Sequence, residues 1–336
     1  MTLAPVNTRG ALANPEPLAV EWQPSAELQR LRDRAALLAS LRSFFQDRQV
    51  MEVETPLLCS TGVTDPSIEP FVVTGGEALS APRYLQTSPE YAMKRLLAAG
   101  SGPIYQITRA FRDGEVGPRH NPEFSMLEWY RPGFDMDRLM EEVAALLKQC
   151  LGELPCHRRS YRTWFIDLLG LDPMTASVAE LENFARSRFD TGALAGDRDL
   201  WLNLISSHLL EPRLAELGIC FVYDYPASQA ALARLEVVDG IQVARRFEVF
   251  VDGMELANGY HELTDVREQR QRFERDNARR REHGLAERPL DERLLAALGH
   301  GLPDCSGVAL GLDRLLMVKT GTRNIREVLA IDWSAS

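Results

Sequence analysis

The chain has 336 residues, 45% hydrophobic and 26% charged, enough for one large domain or two modest ones. Its 38 Lys and Arg against 48 Asp and Glu give a formal charge of -10, which argues against a generally basic surface for holding nucleic acid. No apolar run nears the roughly 20 residues of a membrane span, and the first residues lack the apolar core of a secretory signal. The five cysteines (Cys59, Cys150, Cys156, Cys220, Cys305) are scattered, which suits neither a disulfide framework nor a zinc knuckle. The expectation is a cytoplasmic protein with reduced thiols and no membrane partner.

Residues 1–24 contain four prolines and little periodicity, and read as an arm. Ser25 is placed to cap a helix carrying Leu28, Leu31, Ala35, Leu38, Leu41 and Phe45 at helical spacing. Met51 and Val53 then alternate with Glu52 and Glu54 in a short strand that Pro56 stops. Pro89-Glu90 opens a helix through Leu97. PIYQITRAFR and NPEFSMLEWY read as two strands joined by DGEVGPRH. Alternation puts Gln106, Thr108, Ala110 and Arg112 on one face of the first, and Phe124, Met126, Glu128 and Tyr130 on one face of the second. A sheet face carrying a cation, an aromatic ring and an acid is better explained by a ligand than by a dry core.

A helix follows at 134–155. The stretch 156–245 is less legible, with helical segments near 178–188 and 198–216 and a strand at CFVYDYP. RFEVFV and MELANG flank Asp252-Gly253, a favoured two-residue hairpin turn. Counting back from the turn pairs Val251 with Met254, Phe250 with Glu255 and Glu248 with Ala257. Glu248 and Glu255 then share a face and repel unless a cation or water lies between them. Residues 267–283 read as a solvated Arg/Glu helix laced with i,i+4 pairs, with a contact surface for an acidic partner as the alternative. SGVALGLDRLLMVKTG reads as strand, glycine turn and helix ending near Gly321. Asn324 and Glu327 make a capping box for a short last helix.

Three of these segments, in order, resemble the three signature motifs of the class II aminoacyl-tRNA synthetases: the helix and strand ending at Pro56, FRDGEVGPRHNPEFSMLEWY, and GVALGLDRLL. SPEYAMKRLL and FEVFVDGMELANGYHEL give the resemblance a lysyl-tRNA synthetase character, over about residues 27–333. The resemblance implies an α+β catalytic fold, an antiparallel sheet flanked by helices, over 25–336 after an arm at 1–24. It implies no anticodon-binding domain and no stable tRNA binding. The family's usual Ala-Pro-Glu is here Ser88-Pro89-Glu90, and its Gly-Asn-Gly is Ala257-Asn258-Gly259. Both departures are similar to free-standing lysyl-tRNA synthetase paralogues that activate (R)-β-lysine and attach it to a lysine side chain of elongation factor P. Charging of tRNA or another small acceptor is the alternative.

What the resemblance implies for single residues is definite. ATP would be held by Arg112 on the α-phosphate, Arg314 against adenine and γ-phosphate, Phe124 stacked on adenine, and Glu115, Arg119, His120 and Asn121 around it. Fixed cations suit this chemistry, because negative charge develops on the α-phosphate and on departing pyrophosphate. Glu248 and Glu255 would bind Mg²⁺. The amino acid would meet Ser88, Glu90, Glu128, Tyr130, Ala257, Asn258 and Glu262. Glu128 and Glu262 would face the distal ammonium, and Glu90 the amine near the carboxylate. Ala257 would add a methyl to the pocket wall. Asn258 and Glu262, four apart, fit one face of a helical turn. A homodimer through the first motif is implied as well.

Overall fold

The computed structural model describes residues 22–76 and 79–336, so the arm expected at 1–24 lies almost wholly outside the described residues. α1 (Leu28–Asp47) leads into β1 (Met51–Glu52). β2 (Leu58–Cys59), β3 (Val72–Val73) and β4 (Arg83–Leu85) form a small sheet ordered β2-β4-β3. α2 (Glu90–Ala98) precedes the hairpin β5 (Ile104–Phe111) and β6 (Glu123–Pro132), which feeds α3 (Met136–Leu151). The middle of the chain supplies β7 (Cys156–Ser160), α4 (Tyr161–Leu169), α5 (Val178–Arg186), α6 (Arg198–Ile205), β8 (Ile219–Pro226) and β9 (Leu235–Val238). The second hairpin, β10 (Ile241–Val251) and β11 (Met254–His261), is followed by α7 (Val266–Glu282), α8 (Glu292–Gly301), β12 (Cys305–Gly311) and α9 (Leu312–Thr320).

Eight strands run in the order β1-β5-β6-β12-β11-β10-β8-β7, with β9 also paired to β10. Pairing is antiparallel except at the two ends, where β1 lies parallel to β5 and β7 parallel to β8. This is the α+β architecture expected from the resemblance. The main core lies between one face of the sheet and α1, α3 and α9, around Phe45, Leu127, Trp129, Leu146, Phe247 and Leu315. Phe45 stacks on Tyr105 with ring centres 4.3 Å apart. Burying such aromatic side chains removes roughly 150–250 Å² each from water. The other face of the sheet stays open in its centre and is closed at its edges by α2 and α7 on one side and α4–α6 on the other.

Several local expectations need revision. Glu27, not Ser25, is the N-cap of α1; the Ser25 hydroxyl instead donates to Asp332 at 2.8 Å. Leu28 is 63% exposed, and the buried stripe of α1 begins only at Leu37. Asn324 caps a short 3-10 turn, Ile325–Val328, by accepting from Arg326 N. α7 is not simply solvated. Gln269, Arg272, Phe273, Asn277 and Arg280 are buried along it. Arg280 is wholly enclosed because its guanidinium donates to Glu69 at 2.6 Å, Ala286 O at 2.7 Å and Asp65 O at 3.3 Å. A buried cation is tolerated when it is paired and hydrogen-bonded in this way. Among the described residues no helix is long and apolar enough to cross a membrane.

Candidate active site

Register across the sheet assembles the site. Gln106 lies opposite Glu128, Glu128 opposite Ala309, Ala309 opposite Asn258, and Asn258 opposite Glu248. One row of side-chain positions therefore crosses five strands. The next row runs Ile104, Tyr130, Gly307, Tyr260, Arg246. Gly307 is required there: a Cβ would come within 2.3 Å of the Tyr130 ring and 2.7 Å of Glu262 Oε1. Above these rows opens a cavity of about 1250 Å³ bordered by every residue expected around ATP or the amino acid.

The second hairpin differs from the simple count. Asp252 and Gly253, both at positive φ, make the turn, and Val251 faces Met254 and Phe250 faces Glu255 as expected. A bulge then intervenes, so Val249 faces Ala257 and Glu248 faces Asn258. One extra residue on β11 moves the alternation by one place. Asn258 thereby joins Glu248 on the cavity face. Ala257 borders the cavity, but it aligns with Val249 and Leu310 and packs in the main core. The expected pairing of Glu248 with Ala257 is corrected accordingly. Asn258 and Glu262 do not lie on a helical turn: Asn258 is within β11, and Glu262 is the residue just after it. Strand alternation also puts i and i+4 on one side.

In the half expected to hold the nucleotide, Arg112 follows β5 and its guanidinium lies 5.2 Å over the Phe124 ring and 3.6 Å from Glu115. Its Nε is buried without a hydrogen-bond partner. An unpartnered cation nitrogen in a cavity wall suits an incoming anion. Arg314, in the first turn of α9, donates to Glu255 O at 3.0 Å and approaches the Glu255 carboxylate at 3.5 Å and His120 Nε2 at 2.6 Å. Burial and then Arg314 hold His120 below its ordinary range, so the neutral ring can accept from the guanidinium. Asp313 is buried beside it, accepts from Ser125 N at 2.7 Å and pairs with Arg34. That contact pins the start of α9 to the strand that carries Phe124. Arg119 reaches Gly253 O at 3.4 Å. Both ends of the Asn121 amide are occupied, donating to Glu123 O and accepting from Trp333 N.

Glu248 accepts from Tyr225 at 2.7 Å and forms a close ion pair with Arg246. Burial raises its pKa against the opposing pull of Arg246. Glu255 holds only the long contact to Arg314 among the described ion pairs. Glu211 also borders the cavity, and burial, then Glu248 and Glu255, push its pKa up to about 7. Among the described residues no group of three or more His, Cys, Asp or Glu side chains is arranged to hold a metal by itself.

The half expected to receive the amino acid is more deeply buried. Glu128 accepts from Tyr130 at 2.6 Å and from Ser88 at 2.7 Å, and Ser88 in turn accepts from Glu90 N at 3.0 Å. Burial, then Glu90, raise the Glu128 pKa to about 8 although both hydroxyls favour the carboxylate. Glu262 and Glu90 each lie 2.6 Å from Lys94 Nζ. Glu262 therefore shares the Lys94 ammonium with Glu90; burial still raises its pKa to about 7 against the pull of Lys94, and its Oε2 makes no hydrogen bond.

A family model described as tRNA synthetases class II (D, K and N) matches residues 19–331. The chain belongs to this family. Relatives from Salmonella typhi, Salmonella heidelberg (strain SL476) and Salmonella paratyphi C (strain RKS4594), each named elongation factor P--(R)-beta-lysine ligase, are 50% identical over 315 residues. The match covers 92% of this chain and 96% of each relative. Family membership brings use of ATP with it. Sequence reading had passed over Lys94, Tyr225, Tyr260 and Glu211. Lys94 had a usable signal, being four residues after Glu90 on a helix that opens at the site. Glu211 had none, because it follows a π-helical turn, Ser206–Leu210, in the least legible stretch.

Proposed function

We propose that this ligase activates (R)-β-lysine, or lysine, with ATP and transfers the acyl group to a lysine side chain of elongation factor P. The observation that carries this reading is the pairing of an orphaned Arg112 nitrogen with a dry carboxylate pocket on one sheet face. It joins a polyanion site to an ammonium site. The names of relatives 50% identical over 92% of the chain support the acceptor. A carboxylate oxygen of the amino acid bonds to the α-phosphorus and pyrophosphate leaves. The acceptor amine nitrogen then bonds to the acyl carbon, the carbon–oxygen bond to AMP breaks with its electron pair, and the nitrogen loses a proton.

In this reading Arg112 steadies the α-phosphate charge, Phe124 offers a face to adenine, and Arg314 closes the γ-phosphate end. Glu115, Arg119 and His120 frame the nucleotide, and Asn121 holds the framing loop to Trp333. Glu248 and Glu255 would hold Mg²⁺. Two oxygen donors fit a cation that completes its shell with phosphates and water. Bound there, it would offset charge on the leaving pyrophosphate. Glu90, Glu128, Tyr130, Asn258 and Glu262 receive the amino acid, with Ser88 orienting Glu128 and Ala257 acting through the bulge. A homodimer through α1 and β1 belongs to the same proposal, supported by Leu28 at 63% and Met51 at 50% exposure.

Intact-mass measurement of purified elongation factor P after incubation with enzyme, ATP, Mg²⁺ and (R)-β-lysine tests the reading. One added β-lysyl group on the factor is expected, with total tRNA left uncharged in a parallel reaction. An unmodified factor beside efficiently charged tRNA would overturn it.

A further inference from the structure

Glu90, Glu128 and Glu262 all border the cavity, and three ionised carboxylates in one dry pocket would repel one another. Lys94 does not border the cavity. It lies behind the acids, 1% exposed, with Nζ 2.6 Å from Glu90 Oε1 and 2.6 Å from Glu262 Oε2. Burial alone would pull its pKa down, but Glu262 and then Glu90 outweigh burial and hold the ammonium charged. Glu90 reaches it from the same helix, while Glu262 comes from beyond β11 on another wall. One ammonium thus fixes carboxylates that arrive from two separate elements. An i,i+4 pair needs only one such partner, so a helix-stabilising role leaves the second contact unexplained.

We infer that Lys94 is a positioning residue that sets substrate specificity, because its one ammonium, set behind the pocket, fixes two carboxylates from separate walls, Glu90 and Glu262, where the ammonium groups of a diamino substrate would meet them. The inference rests on the diamino-acid reading above. Without Lys94, Glu90 and Glu262 would lose their shared cation and retain charge poorly in a dry site. The pocket would then lose its preference for a second ammonium group, while the nucleotide half, toward the opposite ends of β6 and β11, would keep its affinity.

The test is pyrophosphate exchange by full-length Lys94→Met and Lys94→Gln, each checked for folding by thermal melting. Substrates are (R)-β-lysine and (R)-3-aminohexanoate, which lacks only the distal ammonium. The kcat/KM ratio between them is expected to narrow at least tenfold in the variants, while the KM for ATP stays within twofold. A wild-type enzyme with no preference for the diamino acid would overturn the reading on which the inference rests. A wild-type preference retained in a folded variant would overturn the role of Lys94 alone. An equal rise in the KM for ATP, or failure of both variants to fold, would reduce Lys94 to a structural ion and also overturn it.

Discussion

The two halves of the cavity treat charge in opposite ways. In the nucleotide half, cations are partly exposed: the Arg112 Nε has no hydrogen-bond partner, and Arg314 is held by the Glu255 carboxylate at 3.5 Å, His120 and two backbone carbonyls. In the other half, Glu128 is buried and bonded by Tyr130 and Ser88, and Glu90 and Glu262 share the Lys94 ammonium, although Glu262 Oε2 makes no hydrogen bond. In the proposed function the difference follows from the ligands. A nucleotide arrives with several negative charges that can share counterions, so spare donors suffice. An ammonium group loses its water on entry and needs acceptors already in place. Looseness serves the first half, and pre-organisation serves the second.

The largest expected effect breaks the nucleotide half. Arg112→Ala removes a charge aimed at the α-phosphate, a loss of about 3 kcal/mol or more in the transition state. Pyrophosphate exchange should fall by about two orders of magnitude or more, while the KM for the amino acid changes little. Normal exchange by this variant would remove Arg112 from the reaction.

The next effect sharpens the contrast through pH. Burial, then Glu90, put the Glu128 pKa near 8, so the free enzyme holds much of this group protonated at neutrality. Binding an ammonium group needs the carboxylate. In wild type, kcat/KM for the diamino acid should therefore rise as pH rises through about 8, until the substrate amine itself loses its proton. Glu128→Gln should lower kcat/KM by roughly 30-fold, in line with about 2 kcal/mol for a lost charged hydrogen bond, and should flatten that rise. A profile that keeps its shape in the variant would assign the titration to another group.

Most of the fold was legible because the elements near the site carry unambiguous periods and turn residues. The β5–β6 face followed from alternation alone, and α2 and α9 end near their glycines, while α3 stops at Leu151, before Gly152 and four residues short of the expected 155. The site was legible less evenly. A bulge has no sequence mark here, so the count along β11 went wrong by one residue at Leu256 and misplaced Ala257. Lys94 was invisible as a partner of Glu262 because the two are brought together only by the packing of α2 against the end of β11. The stretch that holds α4 and β7 lacks a strong period: β7 is the exposed edge segment CHRRS, and its neighbour α4 buries only Tyr161, Trp164 and Phe165.

The smallest expected effect comes from that same stretch and tests whether it belongs to the nucleotide half. Glu211 is half-buried, and burial, then Glu248 and Glu255, raise its pKa from 4.5 to about 7. A carboxyl raised in this way costs the folded state nothing below its unfolded pKa, where both states are protonated. The cost grows between about 4.5 and 7, where only the unfolded chain ionises freely, and is complete above 7. Glu211→Gln removes the charge and keeps the shape. The variant should match wild type in thermal stability at pH 4, and should melt about 1–2 °C higher at pH 8, the shift expected for roughly 1 kcal/mol in a chain of this size. Identical melting of Glu211→Gln and wild type at both pH values would mean that the carboxyl is relieved by solvent, and that the middle of the chain does not press on the acids of the nucleotide half.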